Sequence, residues 1–178
     1  MLGLQRGTVR VVPYSPDWAS LFGEERTRLQ QALGALALDV QHIGSTAVPG
    51  LDAKPLLDVG VAVASEADAA ACVPILEALG YTYRGDRGAS EGHFFDKGAE
   101  DSLTHYLHML IASSPAWVNY LLFRDYLIAH PDVRDAYAQL KRDLAAAYAA
   151  DRASYTAAKA AFVQRVLAET RLKLPASG

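Results

Sequence analysis

Gln41-His42-Ile43-Gly44-Ser45-Thr46-Ala47-Val48-Pro49-Gly50-Leu51-Asp52-Ala53-Lys54-Pro55-Leu56-Leu57-Asp58-Val59-Gly60-Val61 reads as a strand, a Gly-Ser turn, a short connection and a second apolar strand broken by one carboxylate. An ionised Asp58 in a run of Leu, Val and Gly is costly to bury unless it meets a cation, a donor or water. Gly44-Ser45 brings backbone N–H groups and a hydroxyl close to an anion, because Gly adds no side-chain bulk. A site for metal-bound phosphates uses this order: a turn that grips the phosphates, then carboxylate ligation of Mg2+. A tight turn followed by a structural Asp is the simpler account of the same residues.

Around this stretch the pattern alternates between strands and helices. Thr8–Val12 reads as a short edge strand. Ser15-Pro16 marks a helix start, with Ser15 as cap and Pro16 in the first turn. Trp18, Leu21, Phe22, Leu29, Leu33 and Leu36 follow at helical spacing. Leu38–Ile43 and Leu56–Val63 are the next strands, and the apolar run of the second predicts a central strand covered on both faces. Ser65, with Asp68 three residues on, opens a helix ending near Gly80 that Pro74 should kink or shorten. Tyr81–Arg84, His93–Lys97 and Leu103–Ile111 read as further strands, with a polar Gly-rich loop over Gly85–Gly92. Ser114-Pro115 caps a helix that stops at His130-Pro131, Pro131 starts another, and Ser154 caps a last one. The fold class is therefore α/β or α+β. A mixed sheet of about five or six strands has flanking helices and a C-terminal helical layer. One domain over 1–178 is expected, with a core over about 8–112 and the C-terminal helices over about 114–171.

The net charge of −3 argues against non-specific nucleic-acid binding as the main role. No apolar run is long enough to span a bilayer and no signal-peptide pattern opens the chain, so a cytoplasmic protein with no membrane partner is expected. Cys72 is the only cysteine. It excludes an internal disulfide and a Cys-based zinc cluster, and reads as helix packing.

The candidate site residues follow from the turn. Side chains alternate along a strand, so a second carboxylate on the Asp58 face would stand at position 60, which is Gly60. If Asp58 binds a metal, the other ligand comes from elsewhere, with Asp52, Glu91, Asp96 and His108 as candidates. Lys54, at the mouth of the Asp58 strand, can neutralise phosphate as a point charge, or is simply solvated. His42 lies two residues before the turn. His105 and His108 are three apart and so face opposite sides of a strand, with His108 sharing a face with Tyr106. For all three, a hydrogen-bonded structural histidine is the simpler reading. Arg124 and Lys159 sit on the apolar stripes of their helices. Such charges need a partner, an internal ion pair with Asp125 or Asp58, or else a bound phosphate or carboxylate.

The sequence resembles the GrpB family from about Val9 to Val166. The likeness is strongest over His42–Leu51 and Ala53-Lys54-Pro55 to Asp58. It continues at Val12-Pro13-Tyr14 with Trp18, Phe94-Phe95 with Lys97, Thr104-His105 with Leu107-His108, Leu122–Leu127, His130-Pro131, and Tyr155-Thr156 with Lys159. The resemblance implies a nucleotidyltransferase-like core, in which a Gly-Ser turn precedes acidic metal ligands. It also implies kinship with the domain fused to some bacterial dephospho-CoA kinases, for which a supporting role in folding has been suggested. Gly60 stands in place of the superfamily's second acid, and Tyr106 where another His is expected in many relatives.

The leading expectation is a nucleotidyltransferase-like domain that binds a nucleotide or another phosphorylated small molecule with Mg2+. Asp58 would be metal ligand and catalytic residue, with His108 beside it. His42, Gly44, Ser45, Thr46, Lys54, His105, Arg124 and Lys159 would line the phosphate site. The alternative is a non-catalytic ligand-binding or protein-interaction domain of the same fold. A hydrolase using His108 as general base ranks third.

Overall fold

The computed structural model describes residues 2–173. Helix α1 (Asp17–Leu33) leads through β1 (Asp39–Ile43) and the Gly-Ser turn to β2 (Leu57–Val63). Helix α2 (Glu66–Ala78) and strands β3 (Tyr81–Asp86), β4 (His93–Ala99) and β5 (Ser102–Ile111) follow. Helices α3 (Pro115–Ala129), α4 (Pro131–Ala147) and α5 (Arg152–Lys173) complete the described chain. None of the described helices is long and apolar enough to cross a membrane.

The strands make one mixed α/β sheet in the order β1-β2-β5-β4-β3. β2 pairs antiparallel with β1 and parallel with β5, and the remaining pairs are antiparallel. β2 is interior, and Asp58 is its one residue that is not fully buried. Alternation along β2 divides the molecule in two. Leu57, Val59, Val61 and Val63 join Leu107 and Met109 in a core closed by Trp18, Phe22, Leu29 and Leu33 of α1 and Cys72 and Leu76 of α2. Each fully buried side chain of this size contributes roughly 1.5–3 kcal/mol relative to exposure. Asp58, Gly60 and Ala62 face the opposite way, toward the C-terminal helices. There Ala62 and Leu110 pack on Ala116 and Trp117 of α3.

The local signals settle some element boundaries and not others. The Ser65 side chain accepts from the Asp68 N–H and Ser114 from Trp117, as their spacing predicts. Pro74 lies inside α2, which continues to Ala78. Ser15 does not cap α1 through its side chain; Pro16 occupies the cap position and Asp17 opens the helix. Asp151, not Ser154, caps α5, its carboxylate accepting from the Ser154 N–H at 3.0 Å and from the hydroxyl at 2.6 Å. Thr8–Val12 is not a strand. Only Val12 bridges Ala53, and Leu4 separately bridges Leu103. This N-terminal segment finds no continuous free strand edge and runs as a strap instead. Its Val9 N–H donates to the Ala149 carbonyl at 2.8 Å. Arg6 donates to Asp96 at 2.8 Å, where Arg84 also binds at 2.9 Å.

The α1 face holds a buried polar cluster. Glu25 is 3% exposed and accepts from the Tyr81 hydroxyl and the Lys97 ammonium, both at 2.8 Å. Burial works to raise its carboxyl pKa, and those two hydrogen bonds hold it below the ordinary value. His105 lies beside this cluster and shares a 2.8 Å hydrogen bond with Thr104 Oγ1. His42 stacks on Phe22 with ring centroids 4.5 Å apart, and its Nε2 shares a 2.9 Å hydrogen bond with Thr46 Oγ1. Burial above all pushes both imidazoles down to about 4, with Arg124 adding to the effect at His42.

These shifts fix a pH dependence. An unfolded histidine takes up its proton near pH 6.5, whereas the folded chain resists until about 4. Within that window protonation favours the unfolded state, so stability falls as pH is lowered. The melting temperature is expected to drop steadily between pH 6.5 and 4, with a shallower drop in His42→Gln. Equal slopes in the two proteins by thermal denaturation would exclude His42 as a contributor.

Candidate functional site

A cavity of about 1110 Å3 opens on the C-terminal side of the sheet. Its floor is Asp58 of β2, Tyr106 and His108 of β5, and the Gly44–Thr46 turn. Its roof is made by α3, α4 and α5, and the loop carrying Arg87 and Glu91 forms one rim. The β2–β5 register places Asp58 opposite Tyr106 and Gly60 opposite His108. Because those strands run parallel with matching alternation, two alternate positions from each strand face the same side of the sheet.

Gly44 governs the approach of the turn to the carboxylate. Its φ of 68° is a conformation that suits glycine, and a Cβ there would stand 2.7 Å from Asp58 Cβ. The turn therefore lies directly against Asp58. Gly60 is filled from the other side. A Cβ at that position would meet the Trp117 ring at 2.9 Å and Ile43 at 3.1 Å. The position where a second carboxylate would stand is packing space for α3.

Cations dominate what remains. Lys54, Lys141, Lys159 and Arg152 all line the cavity around Asp58. Lys54 Nζ lies 5.8 Å from the Tyr106 ring centroid and 5.7 Å from that of Tyr155. Lys159 Nζ is 4.4 Å from the Tyr155 centroid. Arg152 covers Tyr106 at 4.5 Å and donates to its hydroxyl at 3.0 Å. Lys141 is 2% exposed and donates to the Asp52 carbonyl. Burial lowers the Lys54 ammonium to about 7, helped by Arg152 and Lys159 and opposed by Asp58. Lys159 is lowered to about 8 by burial, again with Asp58 opposing and Arg152 adding. Lys141 falls well below an ordinary lysine, mainly through burial. Burial also drives the Tyr120, Tyr137 and Tyr155 hydroxyls up, so they remain neutral donors. His108 is pushed down by burial, and its Nδ1 lies 3.4 Å from the Tyr120 hydroxyl.

Among the residues singled out from sequence, Gly44, Ser45, Thr46, Lys54, Asp58, His108 and Lys159 converge on this cavity. His42 and His105 do not; they lie across the sheet in the environments given above. Arg124 does not either. Its guanidinium ties α3 to the sheet edge, donating to Gln41 Oε1 and the His42 carbonyl at 2.9 Å each and pairing with Asp125 at 2.7 Å. Two of the proposed second metal ligands are engaged elsewhere: Asp96 between Arg6 and Arg84, and Asp52 with Arg142 at 2.6 Å. Glu91 reaches the rim and pairs with Arg87 at 3.4 Å. No group of three or more His, Cys, Asp or Glu able to hold a metal ion occurs among the described residues. A single carboxylate on the floor, Asp58, among lysines and arginines, with Glu91 at the rim paired to Arg87, does not fit a protein-held Mg2+, which needs several oxygen ligands in octahedral array.

Arg152, Lys141 and Tyr120 escaped the sequence reading. The first had a detectable signal, since Arg152, Tyr155 and Lys159 fall at i, i+3 and i+7 on one helical face.

The GrpB protein family model matches residues 8–169. The chain belongs to the GrpB family. The UPF0157 protein YqkA of Bacillus subtilis is 39% identical over 78% of this chain, which spans 40% of that relative's length. A dephospho-CoA kinase of Mycolicibacterium paratuberculosis is 31% identical over 88% of the chain, covering 44% of the kinase. The crystal structure of the conserved protein GrpB from Enterococcus faecalis superposes with a TM-score of 0.83 at 34% identity, covering 92% of this chain and 98% of that one. The α/β architecture is thus that of a solved GrpB protein.

The packing around Gly60 makes a direct prediction. Gly60→Asp, which places an acid two residues from Asp58 on the same strand face, forces Trp117 aside and should destabilise the fold by about 2 kcal/mol. Thermal denaturation is expected to show this loss with or without Mg2+. Recovery of the lost stability specifically by Mg2+ would mean that the position does accept a metal ligand.

Proposed function

We propose that the cavity binds a phosphorylated small molecule, a nucleotide or a nucleotide-derived compound, by direct charge neutralisation. The observation that carries this reading is the imbalance at the cavity surface: three lysines, Arg152 and Arg87 line it against two carboxylates, Asp58 and Glu91, and Glu91 is paired with Arg87. Buried cations repel one another, and a polyanion between them relieves both the repulsion and the loss of hydration. The Ser45 hydroxyl and the backbone of the Gly44–Thr46 turn supply uncharged donors at the floor. Asp58 serves as a counter-charge that moderates the cations while the cavity is empty of ligand. This is a binding domain on a nucleotidyltransferase-like scaffold, without a metal cage of its own. A Mg2+ ion arriving on the phosphates would find Asp58 on the floor and Glu91 at the rim.

The dephospho-CoA kinase relative supports the choice of ligand class and makes dephospho-CoA, an adenosine diphosphate derivative, the first probe beside ATP and ADP. Metal-dependent nucleotidyl transfer, with Asp58 as ligand and His108 nearby, is the competing reading.

Thermal-shift and calorimetric titrations separate the two. Direct neutralisation predicts stabilisation by a nucleotide without Mg2+, weakened about tenfold in Lys159→Gln. Binding near pH 8 should take up protons, because the anion raises Lys159, which sits near 8, and affinity should fall as pH rises above this value. A shift that requires Mg2+, survives Lys159→Gln and disappears in Asp58→Ala would replace this reading with the transferase. No shift with any of the three probes would remove both.

A further inference from the structure

We propose that the Lys54 ε-amine is a nucleophile, condensing with the aldehyde or ketone carbonyl of a phosphate-bearing ligand to form an imine. The proposal rests on the anion-binding reading of the same cavity and assigns a separate role to one of its lysines.

The chain uses charge unevenly: it has five lysines against twelve arginines, and three of the five lysines line this cavity. Lys97 is neutralised by Glu25 at 2.8 Å, and Lys141 is spent on the Asp52 carbonyl. The Lys54 ammonium makes no hydrogen bond or ion pair among the described residues. Its ammonium position is enclosed by two aromatic rings instead. The groups that face it are Asp58 from β2, Tyr106 from β5, Lys141 from α4, and Arg152, Tyr155 and Lys159 from α5. An arginine at position 54 would stay charged in any such setting, whereas a lysine that is desolvated and set beside other cations loses its proton near neutrality. The value of about 7 for Lys54 agrees with that geometry.

The backbone around this amine is fixed. Ala53 exchanges two hydrogen bonds with Val12, at 2.9 and 3.0 Å, and Pro55 follows at once. The anchored backbone confines the amine to the cavity. Lys159, which keeps its charge to higher pH, and Arg152 are placed to hold a phosphate beside it. In the condensation the amine lone pair forms the C–N bond. The two amine hydrogens leave with the carbonyl oxygen as water, and no oxidant or reductant is consumed.

Pyridoxal 5′-phosphate is the test compound, trapped on the full-length chain with cyanoborohydride and mapped by peptide mass spectrometry. A single early adduct on Lys54 is expected, absent in Lys54→Arg. Its rate should level off above pH 7, where an ordinary lysine is still rising toward about 10.4. Lys97 provides an internal comparison, and melting curves check that Lys54→Arg is folded. Adducts on Lys97, Lys141, Lys159 or Lys173 with Lys54 unmodified would overturn the proposal. So would a Lys54 rate that climbs with the ordinary profile. Reversible stabilisation by pyridoxal phosphate or ATP without trapping at Lys54 would leave the anion site standing and remove the nucleophile. Equal trapping by pyridoxal and its phosphate ester would do the reverse.

Discussion

β2 and β5 lie side by side and parallel, and their register sets Asp58 beside Tyr106 and Gly60 beside His108. Because side chains alternate, that single pairing decides which residues enter the apolar core and which enter the cavity. A slip of one residue in β2 would send Asp58 into the cluster of Trp18, Phe22 and Leu33 and expose Val59. The energetic penalty for burying a lone carboxylate there makes the observed register strongly preferred. The cavity is therefore a consequence of strand pairing as much as of any side chain lining it.

The two faces of the sheet treat buried charge differently. On the α1 face Glu25 is satisfied by Tyr81 and Lys97 within one closed set of hydrogen bonds. Such a cluster favours one arrangement and offers nothing to a ligand. On the opposite face, Lys54 and Lys159 rest on aromatic rings rather than on carboxylates. Contacts of that kind are weaker than a buried ion pair and leave the donors unused. The difference separates a polar cluster closed on itself from one whose ammonium groups are not paired with carboxylates.

Much of this plan was legible in the sequence. The apolar run at residues 56–63 announced a central strand, and its one carboxylate marked the strand face that meets the cavity. Alternation correctly separated His105 from His108. What escaped has identifiable physical reasons. Thr8–Val12 has strand-like residues, but propensity does not supply a partner edge. Arg124 on an apolar stripe had a structural resolution, a hydrogen bond to the neighbouring strand's carbonyl, which no linear pattern encodes. Gly60 read as a missing acid; only the fold reveals Trp117 lying against it. Lys141 and Arg152 belong to helices whose placement over the sheet depends on long-range packing, so their convergence on Lys54 had no local signature beyond the Arg152–Tyr155–Lys159 spacing.

The N-terminal strap has a reach beyond its own few hydrogen bonds. It touches the chain just before Lys54, through Val12 and Ala53, and the turn just before Arg152, through Val9 and Ala149. These are the attachment points of two charges that line the cavity and both lie over the Tyr106 ring. Arg6, gripping Asp96, anchors the same strap to the far strands. The segment thus works as a tie-rod that sets the spacing between floor and roof while contributing no residue to the chemistry itself. Whatever is joined to or removed from that end of the chain acts on the distance between those charges.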